Sequence, residues 1–270
     1  MSQGLMKDKR GVIMGVANDA SIAWAVAEVV HKEGARLAFT YPNEAIYKRV
    51  SSLRDSLQAE CPIIKCDVSE PGDIQQAFSR IKEQWGEIDF VLHAIAFSDR
   101  HQLTGRYVDT TRDNFLKTLD ISCYSLTEIC KEVSAIMPNG GSILALTYLG
   151  ANRVIPHYNV MGVAKAALES SVRYLAADLG PQNIRVNAIS SGTIRTAASS
   201  GIGDFHYIMS WNKNNSPLRR NVLPAEVGKS ALYMLSDLSS AVTGDVHYVD
   251  CGYNIIGMKA VDAPDLIIND

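Results

Sequence analysis

Gly11-Val12-Ile13-Met14-Gly15-Val16-Ala17-Asn18-Asp19-Ala20-Ser21-Ile22-Ala23 is the stretch that decides the fold. Its first part is a short apolar run, the pattern of a strand buried on both faces. The run stops at Gly15, small residues follow, and helical periodicity sets in over Ser21–Lys32. A strand turning through glycine into a helix puts the helix's first backbone amides at the strand's carboxyl end, where they can bind phosphate oxygens. The full G-x-G-x-x-G fingerprint is absent, so the motif alone is weak. Gly15 supplies the tight turn, and Ser21 and Ala23 stand where later glycines usually stand. Ser21 can also cap the helix or hydrogen-bond phosphate. An ordinary turn would need no cofactor; its place after the first strand makes Gly15, Ser21 and Ile22 candidate dinucleotide contacts.

Outward from this unit, the same alternation repeats. Apolar runs at Gly11–Gly15, Arg36–Thr40, Pro62–Cys66, Asp89–His93, Ser142–Thr147, Arg185–Ile189 and Val246–Val249 read as strands. Helical patterns occupy Ser21–Lys32, Glu44–Leu57, Pro71–Trp85, Arg112–Met137, Tyr158–Leu179 and Pro224–Leu235. Repeated strand–helix units imply right-handed crossovers and a parallel sheet covered by helices on both faces. The expected fold is therefore α/β, a single Rossmann-type doubly wound parallel sheet of about seven strands flanked by helices. Pro138-Asn139-Gly140-Gly141 stops the long fourth helix, and no linker, repeat or low-complexity tract divides residues 1–270.

At 270 residues the chain can fill a large core, and its net charge of −3 gives no basic block for nucleic acid. Its five cysteines show neither C-x-x-C pairing nor metal spacing, so no metal is expected, and their scatter fits a reducing, cytoplasmic setting. Met1–Arg10 has no apolar signal core, and no run is apolar for long enough to span a bilayer.

Two later strand ends extend the nucleotide reading. Asp67 and Val68 follow the third strand, where an Asp side chain can accept from an adenine amino group; an ordinary helix cap is an equal alternative. Ala94 and Ile95 follow the fourth, where small residues let a ribose lie against backbone. After the second strand, Tyr41-Pro42-Asn43-Glu44 offers no immediate Arg or Lys for a 2′-phosphate, which favours NADH over NADPH. The stretch 193–221, after the sixth strand, carries Phe205, Tyr207, Ile208, Met209 and Trp211. At the carboxyl edge of an open sheet, such an insert reads as a lid over an apolar substrate.

Tyr158 and Lys165 lie seven residues apart in IPHYNVMGVAK at 155–165. Two helical turns put both side chains on one helix face. Lysine can hold a sugar hydroxyl, and tyrosine can donate to an oxygen that gains charge. An isolated pair would read as surface residues; an upstream dinucleotide turn makes them the equipment of a reductase.

These motifs resemble the short-chain dehydrogenase/reductase superfamily, and within it the bacterial NADH-dependent enoyl-[acyl-carrier-protein] reductases. The resemblance runs from about Gly4 to Met258, through GVANDASIA at 15–23, HAIAF at 93–97, LTYLGANRVIPHYNVMGVAKAALE at 146–169 and RVNAISSGTIRT at 185–196. Most of the superfamily places the catalytic Tyr four residues before Lys, where this chain has Met161. Enoyl reductases instead have Tyr, six residues, then Lys, with a second Tyr ten residues upstream, and Tyr148, Tyr158 and Lys165 match both spacings. The resemblance implies a catalytic set of Tyr158, Lys165 and Tyr148, with Tyr148 bordering substrate. It implies cofactor contacts from Lys165, Ile194 and Thr196, and a substrate wall of Ala96, Phe97, Tyr148, Tyr158 and Phe205. It further implies reduction of the trans-2 double bond of enoyl thioesters by NADH, an acyl carrier protein as partner, and a homotetramer using the C-terminal strand and the long fourth and fifth helices. Arg195, Lys213, Arg219 and Arg220 are candidates for docking the acidic carrier. Thr193 stands where relatives often have proline, implying a less rigid start to the lid; Ala94 replaces a serine, Pro42 a glutamine, and Cys251 a glycine. Two rivals remain: a carbonyl reductase, which would need Tyr at position 161, and a silent dinucleotide-binding protein, which would not need both Tyr158 and Lys165.

Overall fold

Strand β1 (Arg10–Met14) runs between two parallel neighbours, β2 (Arg36–Tyr41) and β4 (Phe90–His93). The computed structural model describes residues 4–196, 199 and 202–265. Outside β2 lies β3 (Ile63–Lys65); beyond β4 follow β5 (Gly141–Tyr148), β6 (Ile184–Ser191) and β7 (Val246–Val249). All pairs are parallel, in the order β3-β2-β1-β4-β5-β6-β7. The chain leaves β3 at one edge and re-enters at β4 beside β1, so the winding reverses between β1 and β4. A crevice opens outside the strands' carboxyl ends at such a reversal.

Side-chain alternation splits the core into two layers. Val12, Met14, Ala38, Val91, Ile143 and Ala145 face one side, packed by α3 (Asp73–Trp85), α5 (Ser125–Ser134) and α6 (Asn159–Leu179). Ile13, Leu37, Phe39, Phe90, Leu92 and Leu144 face the other, packed by α1 (Ile22–Lys32) and α8 (Pro224–Leu235), with Val50 of α2 (Glu44–Ser56) beneath them. Nothing charged interrupts either set on the central strands, as a sheet covered on both faces requires.

The expected helix 112–137 is in fact three pieces. Helix α4 (Arg112–Leu119) passes into a π-helical turn, Asp120–Tyr124, and then into α5, which ends at Ser134. The wide turn rotates Ser122 and Ser125 inward. Ser122 Oγ accepts from the Phe97 amide at 2.9 Å and donates to the Phe97 carbonyl at 3.1 Å. Ser125 Oγ donates to the Ile121 carbonyl at 2.7 Å and so accepts from His93 Nε2 at 2.8 Å. A π turn that repositions side chains beside a pocket is a recurrent functional device.

In the expected lid, α7 covers Phe205–Asn215; residues 197–198 and 200–201 lie outside the described residues. Among the described residues, no helix is long and apolar enough to cross a membrane.

Candidate active site

A cavity of about 1030 Å³ opens at the reversal between β1 and β4. One end is the Gly15 turn. Gly15 has φ +97, and a Cβ there would meet the Ala94 carbonyl oxygen at 2.1 Å, so only glycine lets the turn cross the end of β4 this closely. Ser21 occupies the N-cap position of α1, yet its side chain does not cap the helix. Its Oγ accepts instead from the Ala17 and Asn18 amides at 3.1 and 3.0 Å and donates to Asn18 Oδ1 at 3.2 Å. The hydroxyl therefore builds the turn and does not cap the helix, one of the two roles open to it. Ser21, Ile22 and Ala23 line the cavity, and the first turn of α1 holds no acidic residue. Helix-start amides without a carboxylate among them suit a diphosphate.

Ala94, Ile95, Ala96 and Phe97 continue the wall from β4. Phe97 remains 44% exposed, with Lys117 Nζ 5.0 Å from its ring centre. Asp67 and Val68 do not line this cavity. Asp67 Oδ1 accepts from the Ser69 amide and hydroxyl at 3.0 and 2.7 Å, so its carboxylate closes the local turn, and Val68 packs against the core.

The other end carries the tyrosines and the lysine. Tyr158 stands just before α6 rather than on its face, between His157 at φ +59 and Asn159 at φ +42. This corrects the helix-face expectation: two left-handed residues bend the chain at this point, and Tyr158 and Lys165 reach one cavity from a turn and a helix respectively. The Tyr158 ring lies edge-on to Tyr148, with centres 4.9 Å apart at 70°. Gly150 makes room for it, since a Cβ there would meet Tyr158 Cδ1 at 2.3 Å. Burial first, then Tyr148 and Glu169, push the Tyr158 phenol well above its ordinary range, so it stays a proton-bearing donor. Lys165 Nζ donates to the Leu146 carbonyl at 2.8 Å, and burial lowers its pKa to about 8, opposed by Cys123 and Glu169.

The lid side closes the cavity with Ile194, Thr196, Ser199, Ile202, Phe205 and Ile208. Thr196 and Ser199 exchange two hydrogen bonds, amide to hydroxyl in each direction, at 2.8 and 3.1 Å. Thr193 is buried, and its hydroxyl meets Tyr148 Oη at 3.3 Å and accepts from Asn212 Nδ2 at 3.0 Å. The threonine is thus hydrogen-bonded to both sides at the start of the lid. Met161, at the position where a carbonyl reductase needs its tyrosine, is 6% exposed and lines the same cavity. Leu103, Ile155 and Ile202 also line it and went unread in the sequence, because isolated aliphatic residues in loops carry no periodic signal. Three of the four basic candidates have neighbours of their own: Arg219 pairs with Asp262, Arg220 with Glu226, both at 2.6 Å, and Arg195 lies against His206.

One end of this cavity suits a diphosphate, while the other presents two phenols and a buried ammonium beside an apolar chamber. Residues 15–254 match the family described as enoyl-(acyl carrier protein) reductase. Enoyl-[acyl-carrier-protein] reductase [NADH] 1 of Rhizobium meliloti (strain 1021) is 60% identical over 99% of this chain and 98% of its own length. The corresponding NADH enzyme of Rickettsia bellii (strain RML369-C) is 51% identical over 97% and 99%. The crystal structure of the Anaplasma phagocytophilum reductase in complex with NAD superposes with a TM-score of 0.93 at 54% identity, covering 98% of this chain and 99% of that one. That of the Bacillus cereus reductase with NADP+ and indole naphthyridinone gives 0.93 at 47%, covering 94% and 100%.

Proposed function

This chain belongs to the enoyl-(acyl carrier protein) reductase family, and from that premise we propose that it reduces the trans-2 double bond of enoyl thioesters carried on acyl carrier protein, in fatty-acid biosynthesis. NADH, when bound, supplies the hydride. The residues present fit it: the Gly15 turn and the start of α1 line one end of the cavity, and the first turn of that helix carries no acid. Gly15, Ser21 and Ile22 hold the diphosphate end, while Ala94, Ile95, Ile194 and Thr196 flank the remainder. The adenine contact assigned to Asp67 and Val68 has the least support of the set, since neither lines the cavity and Asp67 Oδ1 is bonded to Ser69.

Lys165, which shares the cavity with Tyr158, would hold the ribose hydroxyls of the cofactor. Tyr158 would donate a hydrogen bond to the thioester oxygen, which gains negative charge as the β-carbon receives hydride; a proton taken up at the α-carbon then discharges that oxygen and completes the saturated thioester. Preorganised donation to a developing oxyanion is a large catalytic term. Tyr148 borders the substrate and holds the Tyr158 ring edge-on. Ala96, Phe97 and Phe205 form the apolar wall for the acyl chain, and 193–221 acts as a lid on a chain that works as one unit over 1–270.

The observation carrying this reading is the pairing of Tyr148 and Tyr158 at the buried Lys165 while Met161 fills the carbonyl-reductase position. Following NADH absorbance with crotonyl-CoA and with acetoacetyl-CoA tests it. Turnover of the enoyl substrate alone is expected; turnover of the keto substrate alone would select a carbonyl reductase, and binding without turnover a silent protein.

Homotetramer formation is supported by exposed apolar residues on the helices expected at interfaces, Leu116 and Tyr124 on the fourth-helix segment and Tyr174 on α6. A cytoplasmic location is supported by five free cysteines, all buried.

A further inference from the structure

Glu169 is a buried carboxylate that the reaction described above does not use. It lies one helical turn beyond Lys165 in the inward stripe of α6, and each residue is 5% exposed. Every other residue of that stripe is apolar, from Val160 to Leu179. A charge is retained in such a stripe only where it has partners. Glu169 Oε1 accepts from Thr147 Oγ1 at 2.8 Å, and Oε2 accepts from Asn152 Nδ2 at 3.0 Å. Thr147 lies between Leu146, whose carbonyl receives Lys165 Nζ, and Tyr148. Asn152 follows the short turn Leu149–Ala151 that contains Gly150, and also donates to Tyr248 Oη at 3.2 Å. One carboxylate thus ties together the ends of the segments bearing Leu146, Tyr148 and Gly150.

We propose that Glu169 is a positioning residue for the reduction: its carboxylate clamps the end of β5 and the Gly150 turn onto α6 and sets a negative charge one helical turn from Lys165 in the same buried stripe. The groups around the pair are His93 from β4, Cys123 from the π turn, Tyr148 from β5, Tyr158 from the turn before α6, and Tyr248 from β7, with Asp250 and Arg153 behind the last. His93 is held neutral and adds no charge near neutral pH. Cys123 and Glu169 both favour the charged lysine, and of the two only the carboxylate is fixed by two donors.

The inference rests on Lys165 holding the cofactor, and the test separates the two claims. NADH affinity, read by fluorescence titration, is measured from neutral to alkaline pH in the wild type, K165R, E169Q, E169D and N152A. In the wild type, affinity falls as pH rises through about 8, where Lys165 loses its proton. K165R stays charged and removes that fall; if it does not, the reading of Lys165 fails and this inference falls with it. With the limb assigned, E169Q is expected to lower its midpoint by about one unit. E169D keeps the charge and recovers most of that displacement. N152A removes the bonds from Asn152 to Glu169 and Tyr248 but no charge, and leaves the midpoint in place. An E169Q midpoint equal to the wild type, or an equal drop in N152A, overturns the inference. Should E169Q fail to fold, E169D decides: a midpoint lowered by a full unit despite the retained carboxylate, about what loss of the whole charge gives, overturns it.

Discussion

Thr193 Oγ1 lies 3.3 Å from Tyr148 Oη and receives Asn212 Nδ2 at 3.0 Å, so a single hydroxyl joins the end of the central sheet to the lid helix. Asn212 also donates to the Ile208 carbonyl, and Ile208 lines the cavity. The lid helix and the tyrosine pair are therefore not independent.

Removing this hydroxyl should loosen both. In T193V, two hydrogen bonds worth about 1 kcal/mol each are lost at nearly constant volume. Amide exchange across 205–215 is expected to accelerate about fivefold or more, with KM for the enoyl thioester rising severalfold and kcat changing less. Unchanged exchange in that helix would refute the coupling.

Gly150 should be intolerant of even one methyl group. The added Cβ of G150A would sit 2.3 Å from Tyr158 Cδ1, so the ring must move. We expect kcat to fall by about tenfold or more while NADH affinity stays within about twofold, because a misplaced donor costs transition-state stabilisation. Steady-state kinetics beside an NADH titration checks this, and a wild-type kcat would show that the ring's position is not critical.

His93 makes the fold acid-sensitive. It is fully buried, and desolvation first, with the Lys165 charge second, lowers its pKa to about 3. An ordinary unfolded histidine titrates near about 6.5, so below that pH the unfolded chain binds a proton that the folded chain refuses. Stability is therefore full above about pH 6.5 and declines by roughly 1.4 kcal/mol per pH unit down to about pH 3. Urea midpoints across this window in wild type and H93Q test it; equal slopes in the two would remove His93 as the cause.

Cys251 carries strain where a glycine would carry none. Its φ is +58, in the left-handed region that costs a side chain about 1 kcal/mol, and it precedes Gly252 in a turn capped by Asp250. C251G is expected to raise stability by up to about 1 kcal/mol, less whatever the buried thiol contributes by packing. A lowered thermal midpoint would mean that packing outweighs strain.

Much of this was legible in the chain because it is local. Unbroken apolar runs such as Val12–Met14 announce a covered parallel sheet, and Gly15 marks the turn that the Ala94 carbonyl later proves to require. Tyr148, Tyr158 and Lys165 were legible through the upstream dinucleotide turn and the family resemblance that their spacing carries, though spacing placed Tyr158 on a helix that begins one residue later. What stayed hidden is non-local. The π turn at Asp120–Tyr124 lies inside continuous helical periodicity, and only the bonds to Phe97 and His93 distinguish it. Glu169 on a helix reads as a solvated charge until Thr147 and Asn152 close over it. Asp67 reads equally as an adenine acceptor or an ordinary cap, and only the Ser69 bonds to its Oδ1 show that it also serves the local turn.

The most direct test of the central claim is Tyr158→Phe, with kcat on a trans-2-enoyl thioester measured beside NADH affinity. The buried phenol keeps its proton and stands ready to donate. Loss of that donor should lower kcat by about ten- to a hundredfold or more, the range seen when an oxyanion donor is removed, with NADH bound as tightly as before. A phenylalanine variant that turns over at the wild-type rate would contradict the account.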